Sequence, residues 1–316
     1  MLTGTIHYIS KTFVPLPAQD LYNTKFIGLY FKEAEGCLSN GGELDEGLVE
    51  LAAEFCRRSH NSCGVIGNDN DDERLRWVEY EIDEKRRGIF QVSVAFSDVA
   101  RRIWEAGLKM FDAIEDVNSG MLQNIRGKTV LEIGAGVIGL SAFALKEVGV
   151  RKGVLTDKEE QVDLLRKNMI RNGFQVGDSE SGSQFSVAAL DVEKLDSSVD
   201  GLLCKVDTLI AADVTYDYSI MKGVLQVFHL ALNDSSRHRV AYLFATKRSQ
   251  TTHDQLLDEL NSSTHQFCVT DLTSQIQKTP SKFDYLRPAL HQDFSNVCVY
   301  RVTGSTERKE EDSSSK

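Results

Sequence analysis

The sequence predicts an α/β fold: a seven-stranded, mostly parallel sheet with an antiparallel C-terminal strand, preceded by a β-rich N-terminal extension. Three observations predict it. From about residue 98 to 303, short apolar runs alternate with segments of helical period, the order that builds parallel strands covered on both faces. A glycine-rich turn directly follows the first of these runs. The last two strand-like runs, Phe267–Leu272 and Asn296–Thr303, have no long helical pattern between them, so they are expected to pair antiparallel.

In the extension, 1–97, Arg74–Asp83 and Gly88–Ser97 alternate apolar and polar residues on either side of Glu84-Lys85-Arg86-Arg87, which reads as a β-hairpin. The acidic run Asp69–Glu73 is expected to be an exposed loop. Ser97-Asp98 opens a helix with Val99, Ile103, Leu108, Phe111 and Ile114 on one face. Thr129–Ile133 is the first strand of the alternating region, and the helix Leu140–Glu147 follows its glycine turn. Lys152–Thr156, Phe185–Leu190, Val206–Ala211 and His238–Thr246 supply further strands. Glu159–Asn172, Ile220–Leu232 and Asp254–Leu260 are the intervening helices. Gly177–Gly182 reads as a loop insert, and 304–316 as a polar, disordered tail. The domain expectation is therefore an extension over 1–97, a folded domain over 98–303 and the tail.

Composition narrows the function. With 316 residues and 41% hydrophobic content, the chain can bury a sizeable core. Its net charge of −11 disfavours direct nucleic-acid binding and favours a protein substrate, one with a basic segment fitting best. Six scattered cysteines form no CxxC pair, and the seven histidines form no ligand-like pair, so neither a metal site nor a disulfide framework is expected. Cys204 and Cys298 lie in apolar runs and read as core residues. No signal peptide or membrane span is visible, so a cytoplasmic or nuclear protein is expected, with a monomer as the default state.

The strongest functional signal is Leu131-Glu132-Ile133-Gly134-Ala135-Gly136-Val137-Ile138-Gly139, between strand and helix. Gly134 and Gly136 remove the Cβ atoms that would block a ligand. GxGxxG is also the dinucleotide fingerprint, and Asp157, 21 residues after Gly136, suits ribose hydroxyls in either kind of site. A tight turn with no ligand is the plain alternative. Glu132 at the strand tip favours a ligand with a charged amino group, because it would repel a pyrophosphate. Asp191 ends the third strand, where a carboxylate can take an adenine amino group or simply cap a turn. Asp213-Val214-Thr215-Tyr216 ends the fourth. Four carboxylates thus fall at the carboxyl ends of successive strands, the ligand-binding edge of open α/β sheets. They make an acidic pocket suited to a methyl donor with a cationic sulfonium.

These motifs, with Ile103-Trp104-Glu105-Ala106-Gly107 upstream, resemble the seven-β-strand protein-lysine methyltransferases that carry a DxxY motif, a Rossmann-like class I fold. The resemblance covers about residues 90–303. It implies S-adenosylmethionine as cofactor and a lysine of a partner protein as acceptor. It also implies that Trp104 packs against the cofactor and that Gly134, Ala135 and Gly136 line its methionine part beside Glu132. By the same resemblance Asp157 holds the ribose, Asp191 and Val192 border the adenine, and Ala212 touches the cofactor. Asp213 and Tyr216 lie beside the acceptor, with Asp213 expected to orient the incoming amine. Many members carry tryptophan where this chain has Val192, which weakens adenine stacking here. The competing functions are methylation of RNA or a small molecule, and a catalytically weak interaction module that keeps the fold. An NAD-dependent oxidoreductase ranks last, because no Tyr-x-x-x-Lys relay follows a strand.

Overall fold

The computed structural model describes residues 75–82, 86–93, 103–177, 182–234, 237–283 and 294–304. The expectations for the acidic loop 69–73, for Ser97-Asp98 as a helix start and for the tail beyond Gly304 lie outside these residues. Strands are β1 (Leu75–Glu81), β2 (Arg87–Ser93), β3 (Thr129–Ile133), β4 (Lys152–Asp157) and β5 (Val176–Gly177). They continue with β6 (Phe185–Ala189), β7 (Thr208–Ala212), β8 (Val240–Thr246), β9 (Phe267–Asp271) and β10 (Val297–Gly304). Helices are α1 (Glu105–Glu115), α2 (Ser141–Glu147), α3 (Glu159–Arg171), α4 (Ser198–Leu203), α5 (Tyr218–Leu232), α6 (Gln250–Leu260) and α7 (Thr273–Ile276).

β1 and β2 form the expected antiparallel hairpin as a separate two-stranded sheet. The main sheet runs β5-β6-β4-β3-β7-β8-β10-β9. Its first six members in that order are parallel, and β10 inserts antiparallel between β8 and β9. The late pair is therefore antiparallel as expected, but the described sheet has eight strands rather than seven. The addition is β5, whose Val176 and Gly177 pair with Phe185 and Ser186. Two residues are too few to show any period, so this segment reads as a loop.

Strand alternation divides the core into two layers. Val130, Leu155, Ile210, Tyr242 and Phe244 face one side with Phe111, Leu145 and Leu165 from α1, α2 and α3. Leu131, Val154, Leu209, Ala241 and Leu243 face the other with Val224, Phe228 and Leu256 from α5 and α6. β3 is buried along its whole length, as a central parallel strand must be. Ile103 and Trp104, expected inside a helix, precede α1, with Trp104 extended at its N-cap. Cys204 is exposed and not the core residue its apolar neighbours suggested, while Cys298 is half-buried and packs against the core. Among the described residues no helix is long and apolar enough to cross a membrane.

The hairpin is fastened to α3 by two asparagines one turn apart. The Asn172 amide accepts from Ile89 N–H (2.7 Å) and donates to Ile89 C=O (2.8 Å). Asn168 does the same for Gln91, at 2.7 and 3.0 Å, and also donates to the Val137 carbonyl (2.8 Å). Alternate residues of β2 thus pair with side-chain amides as they would with a neighbouring strand. Asn168 joins that edge to the turn after β3. From β3 the chain builds outward through β4 and β6, then crosses to β7 on the opposite side of β3. That reversal opens a crevice at the carboxyl ends of β3 and β7.

Candidate active site

The glycine turn lies in this crevice. Gly134 and Gly136 adopt φ of 70° and 61°, backbone that side chains resist. The end of β4 holds the turn: Ala135 N–H donates to Thr156 C=O (2.9 Å) and Gly136 N–H to Asp157 Oδ2 (2.8 Å). Above it is a cavity of about 300 Å³. Trp104, Glu132, Gly134, Ala135, Gly136, Asp157, Val192, Ala212, Asp213 and Tyr216 all line it. The sequence-derived set therefore converges, with one exception.

The exception is Asp191. Its neighbours Leu190 and Val192 line the cavity but Asp191 does not. Its carboxylate accepts from Glu193 N–H (3.1 Å) and lies 3.8 Å from Lys194 Nζ. It closes its own turn. The wall there is apolar instead, made by Leu190, Val192, Ile220 and Val224.

Glu132 is buried, and its hydrogen-bond partner among the described residues is the Ser141 hydroxyl at the start of α2. Burial pushes its carboxyl up to about 7, with the nearby Asp157 charge adding to the rise against the Ser141 bond. Among the described residues Glu132 forms no ion pair, and Lys158, which also lines the cavity, pairs with Glu193 (2.7 Å), so a cationic ligand would complete the buried carboxylate. Burial also raises Asp157, opposed by the amides of Lys158 and Gly136. Tyr216 is half-exposed at the mouth, and desolvation raises its hydroxyl above the ordinary range. It also lines a second cavity of about 110 Å³, with Thr215, Arg248 and His253.

Asp213 is engaged by several donors of the fold. Its φ of 54° turns the residue back at the tip of β7. Oδ1 accepts from Thr246 N–H (3.0 Å) and Arg248 Nη1 (3.0 Å). Oδ2 accepts from Ala106 N–H (3.2 Å), Thr246 Oγ1 (3.0 Å) and Arg248 Nη2 (3.1 Å). Five donors leave no lone pair directed at an incoming amine. Arg248 Nη2 also reaches Glu105 Oε2 (2.9 Å), and the guanidinium lies 5.0 Å from the centre of the Trp104 ring.

Sequence reasoning missed Arg248, Ser141, Asn168 and Gly223. Ser141 had a local signal, since it opens a helix nine residues after Glu132. Arg248 had only its place after the strand β8. Gly223 sits in mid-helix, where an added Cβ would overlap the Val192 carbonyl. No spacing rule announces that approach.

A lysine methyltransferase family model matches residues 84–263, more than half of the chain. The chain belongs to the lysine methyltransferase family. A curated relative, the protein-lysine N-methyltransferase EFM3 of Chaetomium thermophilum, is 28% identical over 157 residues, covering 49% of this chain and 45% of that protein. The match thus spans less than half of the relative's length. Among solved structures, a TehB-like SAM-dependent methyltransferase from Corynebacterium glutamicum is 14% identical, with a TM-score of 0.40 over 65% of this chain and 90% of that one. Precorrin-6y C5,15-methyltransferase from Geobacter metallireducens is 12% identical, with a TM-score of 0.36 over 60% and 87%.

Proposed function

We propose that this enzyme transfers a methyl group from S-adenosylmethionine to a lysine side chain of a partner protein, and that the cavity over the glycine turn is where donor and acceptor meet. The observation that carries the reading is the cavity's charge: Glu132 and Asp157 stand in its wall, Glu132 buried with no ion pair among the described residues, while the wall's Lys158 is paired with Glu193. Such a wall favours a cationic donor and an amine acceptor, and it disfavours a phosphate-rich one. The name of the Chaetomium relative supports the same acceptor class.

The roles follow from the lining. Glu132 accepts from the donor's amino group, and the glycine turn lets the methionine part approach the backbone. Asp157 takes the ribose hydroxyls, and the wall of Leu190, Val192, Ile220 and Val224 takes the adenine. Trp104 covers the cavity from the start of α1. When bound, S-adenosylmethionine supplies a methyl on a sulfonium that leaves without protonation. The protein's task is alignment and exclusion of water as nucleophile. Tyr216 stays protonated at neutral pH and borders the acceptor at the mouth. The lysine must arrive neutral, although its ordinary pKa is about 10.4. Its proton passes to solvent at the half-exposed rim, since Asp213 is saturated. An acceptor with a basic segment suits the net charge of −11, and the enzyme acts as a monomer in cytoplasm or nucleus.

The test is methyl-labelled donor supplied with protein and RNA fractions, after calorimetric titration of S-adenosylmethionine with NAD as control. Label that resists nuclease and appears as methyl-lysine after hydrolysis is the expected result. Label in RNA or in small molecules alone refutes the acceptor assignment.

A further inference from the structure

We propose that Arg248 is a positioning residue for the methyl-donor site, and that Asp213, the aspartate of the D-x-x-Y pattern, serves as its anchor rather than as a partner of the acceptor amine. The inference rests on the reading that S-adenosylmethionine occupies the cavity lined by Trp104.

The geometry is a latch across three segments remote in sequence. Asp213 ends β7, Arg248 lies between β8 and α6, and Trp104-Glu105 starts α1. The guanidinium makes two parallel bonds to Asp213, at 3.0 and 3.1 Å, and a third to Glu105 at 2.9 Å. Its face lies over the Trp104 ring. Asp213 meanwhile accepts from the first-turn amide of Ala106. α1 has no side-chain cap from its own N-cap residue, Trp104. Asp213 therefore supplies the missing acceptor from another strand. The Asp213 and Glu105 side chains are 4% and 8% exposed, so neither charge is satisfied by water. Only a planar fork can bond Asp213 twice, reach Glu105 and stack on an indole together. Without it, two buried carboxylates face each other and the start of α1 is released. Trp104 is then no longer held over the cavity.

The sequence has two tryptophans, so Trp77→Phe leaves Trp104 as the sole reporter. In that background, Arg248→Gln, Arg248→Lys and Asp213→Asn are compared with the parent by Trp104 emission without ligand, by calorimetric Kd for S-adenosylmethionine and by thermal melting. Arg248→Gln should shift Trp104 emission and weaken donor binding at least tenfold at temperatures well below its own melting point. Arg248→Lys keeps the charge but not the fork, and should fall between the two. Should Arg248→Gln fail to fold, Arg248→Lys carries the same comparison. Asp213→Asn should weaken donor binding as Arg248→Gln does, and the double variant should be little worse than either. Donor binding within twofold of the parent, or unchanged emission, would overturn the latch. So would an Asp213→Asn protein that binds the donor normally. A parent that binds no S-adenosylmethionine would instead remove the cavity reading, while Trp104 emission would still judge the latch.

Discussion

Replacing Glu132 by Gln should make the ligand-free protein more stable and the donor complex weaker, and the two effects can be separated by pH. Glu132 rises from 4.5 in the unfolded chain to about 7 in the fold. The folded protein therefore binds this proton more tightly than the unfolded one. The group's stabilisation is complete below pH 4.5 and is lost as pH rises through about 7. At ~1.36 kcal/mol per pH unit, ionised Glu132 costs the ligand-free protein roughly 3 kcal/mol at pH 8. Gln is neutral, nearly isosteric, and can still accept from Ser141. Glu132→Gln should thus raise the melting temperature at pH 8 by several degrees, at about 2–4 °C per kcal/mol for a domain of this size. At pH 5 wild-type Glu132 is already protonated, and the difference should shrink to under about 1 kcal/mol. Donor binding moves the other way. A charge-assisted hydrogen bond to the donor's amino group is worth about 1.5–3 kcal/mol, so Kd should rise about 10- to 150-fold at pH 8. Because the ammonium favours the ionised carboxylate, wild-type affinity should climb with pH up to about 7 and then level off. Melting curves and calorimetry at both pH values decide it. A variant that melts lower at pH 8, or that binds the donor as tightly as wild type, would refute the reasoning.

Gly223→Ala should cost about 1–3 kcal/mol, because the new methyl overlaps the Val192 carbonyl; denaturant melts measure it, and donor affinity should fall as the adenine wall shifts. Asn168→Ala should cost about 2–3 kcal/mol by leaving the Gln91 backbone and the Val137 carbonyl without their side-chain partner. Hydrogen exchange should then quicken at the Gln91 amide more than at Ile89, which Asn172 holds. Asp213→Ala should destabilise the fold by about 1–3 kcal/mol as well as impair turnover, since Ala106 N–H and Thr246 lose their acceptor and Arg248 keeps Glu105 alone of its two carboxylates. Urea denaturation separates that outcome from a loss confined to catalysis.

The alternation of strand and helix was legible because each element carries its own pattern: Thr129–Ile133 is a short, mostly apolar run, and α3 and α5 show one apolar face. The glycine turn and the carboxylates at strand tips were legible for a related reason. Their roles follow from position along a strand, and residues of one strand end necessarily share one edge of the sheet. The sequence alone thus determined seven of the eight strands, the edge at which the crevice opens and ten of the residues that line it. The tertiary structure decided how those residues are spent. Asp191 and Asp213 look alike as strand-end acids, yet one closes its own turn and the other binds an arginine 35 positions away. Asn168 reads as one polar residue on a helix until Gln91, 77 positions away, is laid against it. The two-residue β5 exists only through pairing with β6. For Asp213, Asn168 and β5 the deciding energy is a hydrogen bond between segments whose separation in sequence bears no relation to their distance in space. Local periodicity holds no record of such bonds, and only packing brings the partners within 3 Å.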